Sequence, residues 1–356
     1  MTTIKYELLA EKLRDKIQAG ALKPGDMLMS RSQMEKHYKV SATTINRTLD
    51  ALSEEGLIIR LKGKGCFVAE KKYRGAKTVA VICPMSVNPS KTDIAPFLVN
   101  AVASSLRGTG FAPLLFDSND WKAGFSAALR QKAAGVLSMV NEPAAMDYMA
   151  AEMKRTGIPV VFLDKKGPAG GYVGTDHFRG ALLAVQKALD MGYDKIYHFF
   201  ETTRFMSVIE RKLGYAHAMT LADLNTRLIP VDVSETAYIP AFYNAMLENR
   251  EILKEKCAVF TTNGDGMTGV WRAVCDIRPD VYPALISFDD PDMALPEGVP
   301  FINVVQDLSE IGSRAVGMLL ANILEDKPLS DVKISPEIIE GNKMHMALSE
   351  AADCRK

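Results

Sequence analysis

The sequence predicts an amino-terminal α+β winged helix-turn-helix and a carboxyl-terminal α/β body of two doubly wound parallel-sheet lobes. Three observations predict it. Three short helix patterns and a hairpin pattern fill residues 1–70; from Thr78 onward short apolar runs alternate with longer amphipathic stretches; and after Thr175 that alternation starts again. Repeated strand–helix alternation gives parallel sheets with right-handed crossovers, and two such series give two lobes. The 356 residues suit two or three domains of roughly 100–200 residues each, divided here into a head (1–70), a linker (71–77) and a two-lobed body (78–345).

Charge separates the same parts. Lys plus Arg and Asp plus Glu each total 43, so the chain is formally neutral. Residues 1–76 nevertheless carry 15 basic against 9 acidic side chains, leaving 28 against 34 for the rest. A basic head on an acidic body suits a polyanionic partner for the head alone. With 47% apolar and 24% charged residues the composition is that of an ordinary globular protein. No uncharged run approaches the ~20 residues of a membrane span, and the charged start MTTIKYELLAEKLRDK lacks a signal-peptide core, so a cytoplasmic location is expected. The five cysteines, Cys66, Cys83, Cys257, Cys275 and Cys354, are odd in number and form no CxxC, which favours buried thiols over a disulfide framework or a zinc cluster.

In the head, Tyr6, Leu9, Leu13 and Ile17 recur at helical spacing before Gly20, a stop signal. After the turn KPGDML, Ser30 and Gln33 form a capping-box pattern ahead of Met34 and Tyr38. Ser41 can cap a third helix with Ile45, Leu49 and Leu52 on one face, ending at Gly56. LIIRL and CFV around the turn KGKG then read as a two-stranded wing. The third helix can enter a major groove, where Ser41, Thr43, Thr44 and Asn46 can reach base edges and Arg47 can reach guanine or phosphate. Lys62 and Lys64 flank Gly63 at the wing tip, where flexible cations suit phosphates or a minor groove.

The stretches YELLAEKLRDKIQAGALKPGDML, VSATTINRTLDALSEEGLI and RLKGKGCFV resemble the DNA-binding domain of the gluconate-repressor (GntR) family. That family opens its second helix with Ser-Glu-Arg and its third with Ser-Arg-Thr-Thr-Val-Arg, whose arginines touch bases or phosphates. Here Arg31 and Ser32 replace Glu-Arg, Ala42 replaces the first recognition arginine, and Asn46-Arg47 replaces Arg-Glu. The resemblance implies double-stranded DNA as partner, and the departures imply an operator other than the family's usual one.

The linker EKKYRGAK is polar, cationic and aperiodic. Beyond it VAVIC, APLLF, GVLSMV and PVVFLD read as strands, with PFLVNAVASSLRGTG and AGFSAALRQK as helices between them. The second series runs FRGALLAVQKALDMG, KIYHFF, ERKLGYAHAMTLADL, LIPVDV, CAVFT, GVWRAVCDI and ALISFDD. Ligands of such lobes belong outside the carboxyl ends of the strands.

GIPVVFLD, VGTDHFRGALLAVQKALDMGYDKI, ERKLGY, AVFTTNGDGMTGVWRAV, LISFDDPDMA and INVVQDLSEIGSRAVGMLLANIL resemble the sugar-binding effector domain of the lactose-repressor (LacI) family, itself similar to periplasmic sugar-binding proteins. With the GntR-like head this gives an organisation like that of arabinose repressors, without the LacI hinge helix. The resemblance implies that Asp164, Arg211, Asp289 and Gln306 hold sugar hydroxyls. Asn263 matches another such position, but the family's Asn-Asp is here Asn-Gly-Asp, so Asn263 and Asp265 compete for it. Carboxylates accept from paired hydroxyls, a guanidinium fork donates to them, and an aromatic ring covers the sugar's apolar face. Phe97, Trp121 and Phe205 are candidates for that ring.

Enzyme signatures are weak. NGDGMTG has no Lys-Ser/Thr partner and reads as a turn opening a helix. His177, His198 and His217 fall on different elements with no nucleophile–base pattern, and adjacent Asp289 and Asp290 at a strand end point apart. The expectation is a homodimeric regulator without a cofactor, binding a palindromic operator through the head and a small sugar between the lobes. A nucleoside or purine effector, and a sugar-metabolising enzyme with a fused DNA-binding head, are the alternatives.

Overall fold

In the computed structural model the described residues are 2–61, 64–69, 78–85, 93–203, 205–234, 237–279, 281–291 and 293–341. Lys62, Gly63, the expected linker 71–77, Cys354 and the end of the expected body, 342–345, lie outside them.

The head is three helices and a hairpin: α1 (Thr2–Gln18), α2 (Arg31–Tyr38), α3 (Ala42–Glu54), β1 (Ile58–Leu61) and β2 (Gly65–Val68). The capping box of α2 forms as the sequence predicts: the Ser30 hydroxyl accepts from Gln33 N while Gln33 Oε1 accepts from Ser30 N. Leu9, Leu13 and Ile17 of α1, Met34 of α2, and Ile45, Leu49 and Leu52 of α3 converge with Ile58 and Val68 in one buried core. The apolar positions at i, i+4 and i+7 or i+8 thus all face inward. A bidentate Arg14–Glu55 pair, at 2.9 and 2.7 Å, joins α1 to the end of α3.

The body follows as β3 (Thr78–Cys83), α4 (Ala95–Leu106), β4 (Ala112–Asp117), α5 (Trp121–Arg130), β5 (Gly135–Ser138), α6 (Pro143–Thr156), β6 (Val160–Leu163) and β7 (Gly171–Thr175). The second series is α7 (His177–Asp190), β8 (Ile196–Glu201), α8 (Met206–Leu221), β9 (Arg227–Val231), α9 (Tyr238–Glu248), β10 (Ala258–Thr261), α10 (Gly264–Ile277), β11 (Ala284–Phe288) and β12 (Phe301–Val305). α11 (Leu308–Glu325), β13 (Asp331–Ile334) and β14 (Glu337–Glu340) complete it. The two six-stranded sheets run β4-β3-β5-β6-β7-β13 and β9-β8-β10-β11-β12-β14. The first five strands of each repeat one doubly wound order, and their pairings are parallel. β14 pairs antiparallel with β12.

By its internal contacts the chain divides into two compact units. One comprises Met1–Met85, Ala95–Gly174 and Leu308–Val332; the other comprises Ser86–Ile94, Thr175–Asp307 and Lys333–Lys356. In the second unit, α7 and α8 cover one face of the sheet over Tyr215, Phe260 and Phe288, and α9 and α10 cover the other over Phe199, Phe242 and Leu285. Strands buried on both faces read as unbroken apolar runs, which is why AVFT and ALISF were legible as strands.

α8 approaches α7 so closely that a Cβ on Gly214 would lie 2.2 Å from the Phe178 carbonyl oxygen and 2.9 Å from the Ala181 Cβ. Both obstacles are helix backbone or its first side-chain atom, so neither can rotate away. Gly214→Ala is expected to cost on the order of 3 kcal/mol by overpacking, read as a lowered unfolding temperature with unchanged secondary-structure content. α10 meets α9 the same way, with Gly269 against the Ile239 carbonyl oxygen at 2.3 Å. The helix therefore begins at Gly264, five residues before the sequence pattern places it, because the glycines that look like a turn are what let two helices touch.

Candidate nucleic-acid interface and effector site

At the start of α3 the Ser41 hydroxyl accepts from Thr44 N at 3.3 Å and lies 3.0 Å from Thr44 Oγ1. Thr44 is only 5% exposed, so its hydroxyl serves the cap. Ser41, Thr43 and Arg47 are exposed along the same end of the helix, as are Arg31 and Ser32 at the start of α2 and Lys64 in the wing. Asn46 is half-buried; its carbonyl accepts from Arg60 Nη2 at 3.2 Å, and Arg60 is paired with Asp50 at 2.7 Å. Exposed hydroxyls and cations thus lie at the amino ends of the two helices of the helix-turn-helix, where backbone N–H groups also favour phosphate.

In the first unit, β6 is followed by Asp164, a buried carboxylate with φ +59°. In the second unit, β11 is followed by Asp289 with φ +61°. Their backbone N–H groups donate to equivalent partners, Val173 on β7 at 2.9 Å and Val304 on β12 at 3.0 Å. Two aspartates thus occupy the same position of the repeated fold, both in the left-handed region that non-glycine residues rarely adopt, and strain of this kind clusters at ligand sites. Asp164 also pairs with Lys165 at 3.2 Å.

The second unit gathers most of its candidates at the carboxyl ends of its strands. Arg211 on α8, 6% exposed, lies with its guanidinium carbon 3.9 Å from the centre of the Phe288 ring. Its Nη1 donates to the Thr262 carbonyl, and its Nε and Nη2 point at His177 Nδ1 at 3.3 and 3.1 Å. A guanidinium can only donate, so Nδ1 accepts and the ring proton of neutral His177 sits on Nε2. Gln306 Nε2 donates to Asp289 Oδ1 at 2.8 Å, and Gln306 Oε1 accepts from Thr175 Oγ1. Asp290 instead faces Asn303, whose Nδ2 lies 3.4 Å from Asp290 Oδ1.

Asn263 and Asp265 occupy different places. Asn263 Oδ1 accepts from Gly266 N at 2.7 Å and caps α10, whereas Asp265 lies in the first turn of that helix and acts on the phenol of Tyr238. Glu201, 4% exposed at the end of β8, accepts from the Thr262 hydroxyl. Burial, reinforced by the carboxylates of Glu201 and Asp265, pushes the Tyr238 phenol up to about 12. It therefore stays a neutral hydroxyl able to donate and accept.

The aromatic candidates are dispersed. Phe97 is 51% exposed on α4, Phe205 precedes the first turn of α8, and Trp121 donates from Nε1 to Glu142 at 2.8 Å while packing on Tyr148. His177, Phe288, Thr262, Glu201 and Tyr238 were not singled out as site residues by sequence. They come from four different elements and the segments between them, and no spacing signals their convergence.

Among the described residues no group of three or more His, Cys, Asp or Glu could hold a metal ion, and no helix is long and apolar enough to cross a membrane. Cys66, Cys83, Cys257 and Cys275 are free thiols; burial pushes Cys83 up to about 11 and Cys257 up to about 12.

A helix-turn-helix head joined to a body of two parallel-sheet lobes is the build of a ligand-responsive DNA-binding regulator. Residues 5–68 match the family of bacterial regulatory proteins called the gntR family. The chain is 22% identical to an arabinose metabolism transcriptional repressor of Halalkalibacterium halodurans, over 91% of this chain and 90% of that one. It is 23% identical to a repressor of the same name from Geobacillus stearothermophilus, over 96% and 98%. The body shares its fold with a LacI family transcriptional regulator from Enterococcus faecium with bound ribose: the TM-score is 0.59 at 21% identity, covering 74% of this chain and 97% of that one. The amino-terminal part is thus a GntR-type helix-turn-helix domain, and the rest has the two-lobed fold of LacI-type regulators.

Proposed function

We propose that this chain is a cytoplasmic, homodimeric transcription repressor whose head binds a palindromic DNA operator and whose body takes a small sugar that releases the DNA. The observation that carries the reading is the combination, in one chain, of a gntR-family head with a body whose strand ends gather Arg211, His177, Asp289, Gln306 and Thr175. Such a set suits a polyol, because carboxylates accept from paired hydroxyls while the fork of Arg211, backed by Phe288, donates. The proposed effector contacts are Asp164 in the first unit and Arg211, Asp289, Gln306 and Asp265 or Asn263 in the second. Two relatives matched nearly end to end are named arabinose repressors, which favours a sugar over a nucleoside and a regulator over an enzyme. A head of this size reads one half-site, so a two-fold operator requires two copies.

The proposed DNA contacts are Arg31, Ser32, Ser41, Thr43, Asn46, Arg47, Lys62, Gly63 and Lys64; Thr44, expected from the sequence to reach a base, is instead buried with its hydroxyl engaged at the α3 cap, and so positions the helix. The test is a titration of the full chain on fragments of its own upstream DNA, with and without a panel of free pentoses and hexoses. Affinity is expected to fall steeply with salt, with a log–log slope of about −0.9 per phosphate contacted. Arg47→Ala should cost about 1–3 kcal/mol if it reads guanine, or lower the salt slope by about 1 if it holds a phosphate. Binding that neither depends on salt nor responds to Arg47→Ala would remove this surface as the interface, and the absence of any sugar effect would remove the effector reading.

A further inference from the structure

Resting on the reading that a sugar controls DNA binding, we propose that the head is seated on the first lobe at the turn 107–111, and that this seat carries the effector's signal to the recognition helix. The head and that lobe belong to one compact unit. Gly110 is where they meet. A Cβ there would lie 2.8 Å from Ser53 Oγ and 3.4 Å from the Ser53 carbonyl oxygen, in the last turn of α3, and 3.9 Å from the Ile58 carbonyl oxygen at the start of β1. Leu49 and Leu52 are the residues of this turn that enter the head core, yet Ser53 is only 6% exposed and its hydroxyl is buried with no hydrogen-bond partner among the described residues. Buried hydroxyls are as a rule bonded; this one is covered because the Gly110 turn lies against it. The outer side of the wing is covered as well. Ile58 points into the head core, so Ile59 points away from it, but Ile59 is also only 6% exposed.

The seat is stiff on the side of the body. Thr109, 6% exposed, staples the turn: its Oγ1 donates to the Leu106 carbonyl at 2.7 Å and accepts from Phe111 N at 3.2 Å. Leu106 is the last residue of α4, and α4 is in close contact with α11, where a Cβ on Gly312 would lie 2.6 Å from the Ala101 Cβ and 3.1 Å from the Ala101 carbonyl carbon. α11 itself starts two residues after Gln306, as the chain returns from the second unit to the first. Close-packed helices have little compressibility and pass a shift on. A ligand that moves Gln306 therefore moves α11, α4, the turn and the head together. The seat engages the carboxyl end of α3 and leaves Ser41, Thr43 and Arg47 at the amino end exposed for DNA. It is a mounting and not a block, and in a dimer it makes the spacing of the two heads follow the two first lobes.

The experiments use the full chain, its upstream DNA, and arabinose, ribose, xylose and glucose as the sugars. The 2.8 Å between a Gly110 Cβ and Ser53 Oγ is near the spacing of a Cβ from the far sulfur of a disulfide. Ser53→Cys combined with Gly110→Cys is therefore expected to close an intrachain bond under oxidised glutathione, identified by peptide mass, and the oxidised protein is expected to bind operator within threefold of its reduced form and still release it with sugar. Gly110→Gln fills the seat. It is expected to bind sugar within twofold of wild type by calorimetry, while the factor by which sugar weakens operator binding falls to within twofold of one. Gly108→Gln bears the same left-handed backbone cost, at φ +71°, but faces open space and should keep the wild-type factor. Failure of the 53–110 bond to form, an oxidised protein that cannot hold operator, or a Gly110→Gln variant that responds like wild type overturns the proposal and leaves the effector reading intact. A wild type that binds none of the sugars overturns the effector reading and the signalling role with it, whereas the seat itself stands or falls on the cross-link.

Discussion

Arg211→Ala is expected to yield a protein that still binds its operator but no longer releases it at sugar concentrations that empty the wild-type complex. The guanidinium is buried, stacked 3.9 Å from Phe288 and bonded to the Thr262 carbonyl and His177. Its remaining donors are what the proposed site offers to a sugar oxygen. Removing it leaves bound hydroxyl oxygens without a donor and loosens the ring of His177, a loss of about 1–3 kcal/mol per orphaned group and therefore of roughly 10- to 100-fold or more in sugar affinity. By linkage, the factor by which sugar weakens operator binding must equal the factor by which operator weakens sugar binding, typically ~1–3 kcal/mol, so a site that no longer binds cannot transmit. The head has its own core, far along the chain from α8, and its DNA affinity should stay within error of wild type. Arg211→Lys retains the charge but not the planar fork, and should recover only part of the response. Release of DNA by Arg211→Ala at the wild-type sugar concentration would show that Arg211 makes no effector contact.

The head was legible almost residue by residue because its signals are local. Ser30 with Gln33, Ser41, and apolar positions four apart each specify a cap or a face within one turn of helix. The central strands of the body were legible for a different reason, being short apolar runs buried on both faces, whereas β4 and β9 were legible as apolar runs although they are partly exposed. Elements that broke these rules were passed over. α6 begins with proline and is built from Ala and Met; α9 opens Tyr-Ile-Pro and looks like a turn; β7 is bounded by glycine; and β13 and β14 are four residues each with partly exposed faces. The site was legible by another route. Asp164, Arg211, Asp289 and Gln306 were reached through the resemblance to the LacI family, which matches them at the ends of recognisable strands and three residues before Gly214; no local spacing alone marks them. His177 meets Arg211 across 34 residues and Glu201 meets Thr262 across 61, pairings set by sheet order and not by local sequence.

The second unit should lose stability as pH falls below about 6.5, through His198. The ring lies in the middle of β8, fully buried, stacked on Phe260 at 4.3 Å and beside Tyr215 at 5.1 Å, with Nδ1 3.2 Å from the Phe260 carbonyl oxygen. Its Nε2 is buried with no hydrogen-bond partner among the described residues. Burial, first, and then the cations of Lys212 and Arg211 hold His198 down at about 3, against 6.5 for the free side chain; the Phe260 carbonyl opposes this only in part. The unfolded chain therefore binds a proton that the folded one refuses. Stability is complete above pH 6.5 and falls as pH drops from there toward 3, at a limiting slope of about 1.4 kcal/mol per pH unit, or about 2 kcal/mol by pH 5. His198→Phe keeps the stack on Phe260 and removes the titrating group, so its unfolding free energy should fall by about 2 kcal/mol less than that of wild type between pH 7.5 and 5. The comparison is between slopes, so any cost of the substitution at neutral pH cancels, as do the carboxylates and the other histidines, which titrate alike in both proteins. Parallel pH profiles for the two proteins would place the acid sensitivity elsewhere and would mean that His198 accepts a proton without opening the core.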